Sequence, residues 1–160
     1  MFSNVLKPYL IFNLILFFAF SISVNSFVEI EYINLVFYIF FHITYIYLLF
    51  YHYHFSIYII GLFYGIFFDI LLMNSIGSHL VSLLILIFLY VFLKKYLFLL
   101  SSLQISITIF ITLNAVIYFE ILYAFVFNNF YLNILQLLNY FIIALIIFIP
   151  TILVLNKIDN

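Results

Sequence analysis

The sequence predicts an all-α, polytopic membrane protein with six transmembrane helices, and three observations lead there. Hydrophobic residues make up 71% of the 160-residue chain and charged residues 6%, with a mean hydropathy of +1.44. A soluble domain of this size needs a charged coat that four basic and five acidic side chains cannot supply. Those charges also divide the chain into long uncharged runs: 8–28, 32–68, 70–93, 96–120 (ending on Glu120) and 121–156. A span needs roughly 20 apolar residues to cross a hydrocarbon core of about 30 Å, so two of these runs are long enough for more than one crossing.

The first span is expected at 5–26. Lys7 and the apolar run behind it look like a secretory leader, but no small-x-small cleavage site follows, so the segment is read as an uncleaved span. Glu29 and Glu31 close it, and a second span follows at 34–50. Tyr51, His52, Tyr53 and His54 separate that span from a third at 55–72, and Asn74 and Ser75 separate the third from a fourth at 76–93. Lys94 and Lys95 mark the next break, before a fifth span at 101–127. Asn128 and Asn129 precede the sixth, at 131–155, where Pro150 is expected to kink or end the helix. Breaks this short make neighbouring spans antiparallel and leave no room for a soluble domain. Residues 1–160 therefore read as a single integral membrane domain.

Charge placement orients it. With six spans Lys7, Lys94, Lys95 and Lys157 share a side with both termini, and Glu29 and Glu31 fall on the other. The excess of lysine faces the cytoplasm, so both termini are expected there; five spans would split the lysines between the two sides. The absence of cysteine excludes disulfides, thiolate metal sites and cysteine nucleophiles. Four scattered lysines make no basic patch, so nucleic acid is not an expected partner, whereas the lipid bilayer is.

All three glycines, Gly61, Gly65 and Gly77, lie in the stretch GLFYGIFFDILLMNSIG, with Asp69 among them. Gly61, Gly65 and Asp69 recur every four residues and so share one helix face. Small residues let a second helix approach closely, and a carboxylate on that face then needs a partner or water. Asp69 can be read as a headgroup-level acid or as a buried hydrogen-bond partner reaching His79 and the backbone donors of the 74–77 turn. The glycines on its face favour the second reading.

Glu120 lies in the outer half of the fifth span and His79 in the first turn of the fourth, also at the outer side; Asn114 is deeper. A charge at a helix centre costs about 2.5–3.5 kcal/mol on insertion scales, less near the interface. Glu120 can therefore be an interfacial acid facing outward, or a member of an outer polar cluster with Asp69 and His79. The sequence leaves both open. His52 and His54 have a His-x-His spacing that reads as interfacial rather than metal-binding. There is no HExxH, no serine elbow and no phosphate-cradling loop, and Asp69 is the only aspartate within a span. The expected role is non-enzymatic, without cofactor or metal.

The run Gly61-x3-Gly65-x3-Asp69, with Gly77 eight residues after the acid and His79 two beyond, resembles the rod-shape-determining protein MreD family. That family's signature is a Gly-x3-Gly-x3-Asp helix, a short turn of small residues and a Leu-Gly-x-His-like start to the next helix. Length, six-span layout and a proline in the last span also fit; Ile33, Asn34, Met73 and a basic tail reduced to Lys157 depart from it. The resemblance implies a helical core similar to the substrate-binding subunits of energy-coupling-factor transporters. It also implies a scaffold of the cell-elongation machinery in the bacterial inner membrane. Such proteins act with MreC, a single-span periplasmic coiled-coil protein, and with MreB filaments and cell-wall synthases. Gly61, Gly65, Asp69, Gly77 and His79 would form the motif face. The alternative is a vitamin-type substrate-binding subunit of such a transporter. Its first helix should repeat a small-x3-small pattern, and here Ala19 and Ser23 give one such pair. A small ion-coupled carrier using Asp69 and Glu120 ranks last, for want of a midplane charge and a broken helix pair.

Overall fold

The computed structural model describes residues 6–24, 31–52, 54–73, 77–97 and 99–127, together with 134–159. Among these the chain is helical, with no strand. In order come α1 (Leu6–Val24), α2 (Glu31–Tyr51), α3 (Phe55–Phe68) with a π-helical turn (Asp69–Met73), α4 (Ser78–Leu97), α5 (Ser102–Phe127) and α6 (Ile134–Asp159). Five stretches are long and apolar enough to cross a bilayer: Tyr32–Tyr51, Phe55–Leu72, Ser78–Leu97, Ser102–Phe127 and Leu137–Lys157. Pro8–Val24 in α1 is a shorter apolar helix. The chain is a multi-pass helical membrane protein.

Burial runs opposite to that of a water-soluble domain. Asp69, His79 and Glu120 are buried, while Phe63, Phe88 and Phe92 face outward. Lipid solvates such aromatic surface, and the ionisable groups turn inward because hydrocarbon cannot solvate them.

Two corrections to the expected elements follow. Lys94 and Lys95 belong to the last turn of α4 instead of breaking it, where their charge suits the negative end of the helix dipole. Pro150 does not end α6, which runs on to Asp159. Proline removes one amide donor from the ladder, and the Thr151 hydroxyl bonds the Ile147 carbonyl at 2.7 Å beside it. Polar side chains compensating in this way are how membrane helices tolerate proline. The expected breaks at Glu29, Asn74, Ser75, Asn128 and Asn129 lie outside the described residues.

The helices group into two compact units, residues 1–48 with 134–160, and residues 49–133. In the first, α1 and α2 are joined through Asn13, whose amide donates to the Phe41 carbonyl at 3.2 Å and to Thr44 Oγ1 at 2.7 Å. Ring contacts of Phe17 with Phe41 and of Phe20 with Tyr38 flank that clasp, and Ser23 bonds Asn34 near the helix ends. Tyr47 reaches Asn156 of α6 at 3.5 Å.

The second unit holds α3, the π-helical turn, α4 and α5. Its buried positions recur at helical spacing: Ile57, Gly61, Tyr64, Gly65 and Phe68 on α3, and Ser78, His79, Ser82, Leu83, Leu86 and Tyr90 on α4. On α5 the buried stripe is Ile109, Leu113, Val116, Ile117, Glu120 and Ala124. Each stripe is one side of a helix, the 3.6-residue period seen from within. All the acids of interest lie on these inner stripes or continue them.

Candidate functional site: an acid that caps the next helix

The second unit concentrates its polar chemistry where α3 gives way to α4. The first N–H groups of any helix lack partners inside it, and an apolar span offers no water to satisfy them. The first intrahelical bond of α4 runs from the Val81 amide to the Gly77 carbonyl at 3.0 Å, so the amides of Gly77, His79 and Leu80 must look elsewhere. They converge on Asp69. Its Oδ2 accepts from Gly77 N at 2.7 Å and Leu80 N at 3.1 Å, and its Oδ1 accepts from His79 N at 2.9 Å. The His79 Nδ1 lies 2.9 Å from Oδ1, and the Ser78 hydroxyl donates to the same oxygen at 3.4 Å. A cap usually comes from the residue before the helix. Here it comes from the preceding helix, and it places a carboxylate at the positive end of the α4 dipole.

Asp69 can reach because α3 and α4 almost touch. A Cβ added to Gly65 would lie 2.6 Å from the Leu80 Cα, 3.1 Å from its N and 3.3 Å from the His79 O. No side chain fits there. Gly61, one turn earlier on the same face, is buried. The π-helical turn opens at Asp69, whose own amide still bonds the Gly65 and Ile66 carbonyls. Such turns are rare and concentrate at functional positions.

α5 closes the site from the other side. A Cβ on Gly77 would meet the Tyr123 ring, 3.0 Å from Cε1 and 3.2 Å from the hydroxyl. Glu120, 4% exposed, lies one turn away from Tyr123 and makes a 2.5 Å hydrogen bond with Ser82 Oγ. That hydroxyl is also 2.9 Å from the His79 carbonyl oxygen. Asp69 and His79 are thus in direct contact, and Glu120 joins them through Ser82. The Phe68 ring stands 5.8 Å from the His79 ring.

Ser82, Ser78 and Tyr123 belong to this site although the sequence reading did not select them. A usable signal exists for the serines: Ser78 and Ser82 are four apart and flank His79 on one face of α4. Nothing marks Tyr123 among so many tyrosines. The other polar candidates stay apart. His54 caps the start of α3, accepting from Ser56 N at 3.2 Å, and His52 lies half-buried beyond α2. Asn114 bonds the Phe110 carbonyl of its own helix at 2.8 Å. Among the described residues no group of three or more His, Asp or Glu side chains is arranged to hold a metal ion.

Compared with protein-family models, with curated proteins and with solved structures, the chain matches none.

Proposed function

We propose that this chain is a non-enzymatic scaffold of the bacterial cell-elongation complex, of the MreD kind, in the inner membrane with both termini cytoplasmic. It serves rod-shape maintenance and regulates lateral peptidoglycan synthesis through an MreC-like single-span coiled-coil protein. Its links to MreB filaments and cell-wall synthases are indirect. One observation supports this reading above the others: the lone pairs of Asp69 are filled by donors of the neighbouring helix. A carrier or enzyme needs such an acid open to a ligand. A scaffold needs it closed, so that the α3–α4 hairpin keeps its shape while a partner binds the outside. Gly61, Gly65, Asp69, Gly77 and His79 are then the framework of the partner surface, acting from within.

A mild-detergent pull-down of the tagged protein from its native membrane, read by mass spectrometry, tests the proposal. Recovery of a single-span coiled-coil protein with cell-wall synthases is the expected result. Recovery of a transmembrane coupling subunit with two ATPases would overturn it in favour of a vitamin-type substrate-binding subunit.

A further inference from the structure

The bond between Ser82 and Glu120 raises a question of protons. A serine hydroxyl has one proton to donate, yet Ser82 Oγ stands 2.9 Å from the His79 carbonyl oxygen and 2.5 Å from Glu120 Oε1. A carbonyl oxygen cannot donate. If Glu120 were ionised, three acceptor oxygens would share that single proton. If Glu120 carries a proton, each contact has a donor: the acid donates to Ser82 Oγ, and Ser82 donates to the His79 carbonyl.

Charge balance points the same way. Asp69 is surrounded by N–H donors that suit an anion, and His79 Nδ1 faces it at 2.9 Å. His79 is the only group among the described residues of this cluster able to carry positive charge. The nearest lysine on α4, Lys94, is fifteen positions further along, about 22 Å at 1.5 Å per residue. One imidazolium balances one carboxylate. A second carboxylate at the 4% exposed Glu120 would leave a net negative charge inside an apolar bundle.

We propose that Glu120 is held as a neutral acid at neutral pH, beside an Asp69–His79 ion pair, so that this corner of the bundle stores one proton. The groups that face it in this unit are Asp69 from the π-helical turn and Ser82 and His79 from α4, with Tyr123 on its own helix. This stands independently of the scaffold reading, since it depends on the cluster alone and not on any partner.

The glutamates of the chain are Glu29, Glu31 and Glu120, which makes a direct test practical. The E29Q/E31Q variant, grown with 13C-carboxyl glutamate and reconstituted in lipid bilayers, leaves Glu120 as the only labelled acid. Infrared spectroscopy at neutral pH is expected to find the isotope-shifted carbonyl stretch of a carboxylic acid and no labelled carboxylate band. A carboxylate band in place of the acid carbonyl overturns the proposal. If that variant misfolds, the unmutated labelled chain carries the same test. It must display an acid carbonyl that Glu120→Gln removes, and its absence is equally fatal.

Discussion

A carboxylate offers about four lone-pair positions, and five donors of α4 stand within 3.4 Å of those of Asp69. Replacing one oxygen by an NH2 group, as in Asp69→Asn, turns an acceptor into a donor that faces other donors. Whichever way the amide points, two or more N–H groups lose their partner. Each orphaned donor costs about 1–3 kcal/mol, so Asp69→Asn is expected to destabilise the protein by about 2–6 kcal/mol, and Asp69→Ala by at least as much. Thermal unfolding in a mild detergent measures this. An Asn variant that melts with the wild type would remove the capping role, and with it the structural argument for the motif. The sequence made this residue legible because its face was marked by Gly61 and Gly65. It did not reveal the state of Glu120, whose partner Ser82 lies 38 positions away, a separation that no local pattern encodes.

At the scale of elements, α3 and α4 are held at the distance that Gly65 permits. A Cβ there collides with the backbone of Leu80 at 2.6 Å, which cannot move without moving the helix. The corresponding atom on Gly77 meets only the edge of the Tyr123 ring at 3.0 Å, and a side chain can swing aside. Overpacking of this kind costs about 1–3 kcal/mol, and Gly65→Ala is expected to show that full loss while Gly77→Ala shows clearly less. Equal losses would mean that the hairpin is not set by the glycine contact. The helices themselves were readable, since apolar runs bounded by charged or polar residues fix their extents within a few residues. Two features were not. The π-helical turn Asp69–Met73 has the sequence DILLM, which differs in no way from ordinary apolar helix, and only the demand that Asp69 reach α4 sets it apart. Pro150 misled for the opposite reason. Its local effect on the amide ladder is certain, but whether a helix survives depends on neighbours such as the Thr151 hydroxyl.

For the whole molecule the open question is whether α1 crosses the bilayer, because the six-span topology and the shared side of the lysines both depend on it. Its apolar part, Pro8–Val24, is shorter than the other five candidate spans. Nineteen helical residues nevertheless measure about 28 Å, close to a hydrocarbon core of about 30 Å. The fully buried Asn13 also argues for a crossing. Its amide bonds Phe41 and Thr44, within the spanning part of α2, which sets the middle of α1 against the interior of a transmembrane helix. The chain has no cysteine, so single cysteines can be labelled in intact cells and in inverted vesicles with a membrane-impermeant maleimide. Pro8→Cys, Ser101→Cys and Lys157→Cys, all at exposed positions, are expected to react only from the cytoplasmic side. Tyr32→Cys, also exposed, is expected to react only from outside. Were Pro8→Cys and Tyr32→Cys to label from one side, α1 would lie in or on the membrane without crossing it. The lysines at the two ends of the chain would then face opposite compartments, and the cytoplasmic placement of both termini would fall with the six-span count.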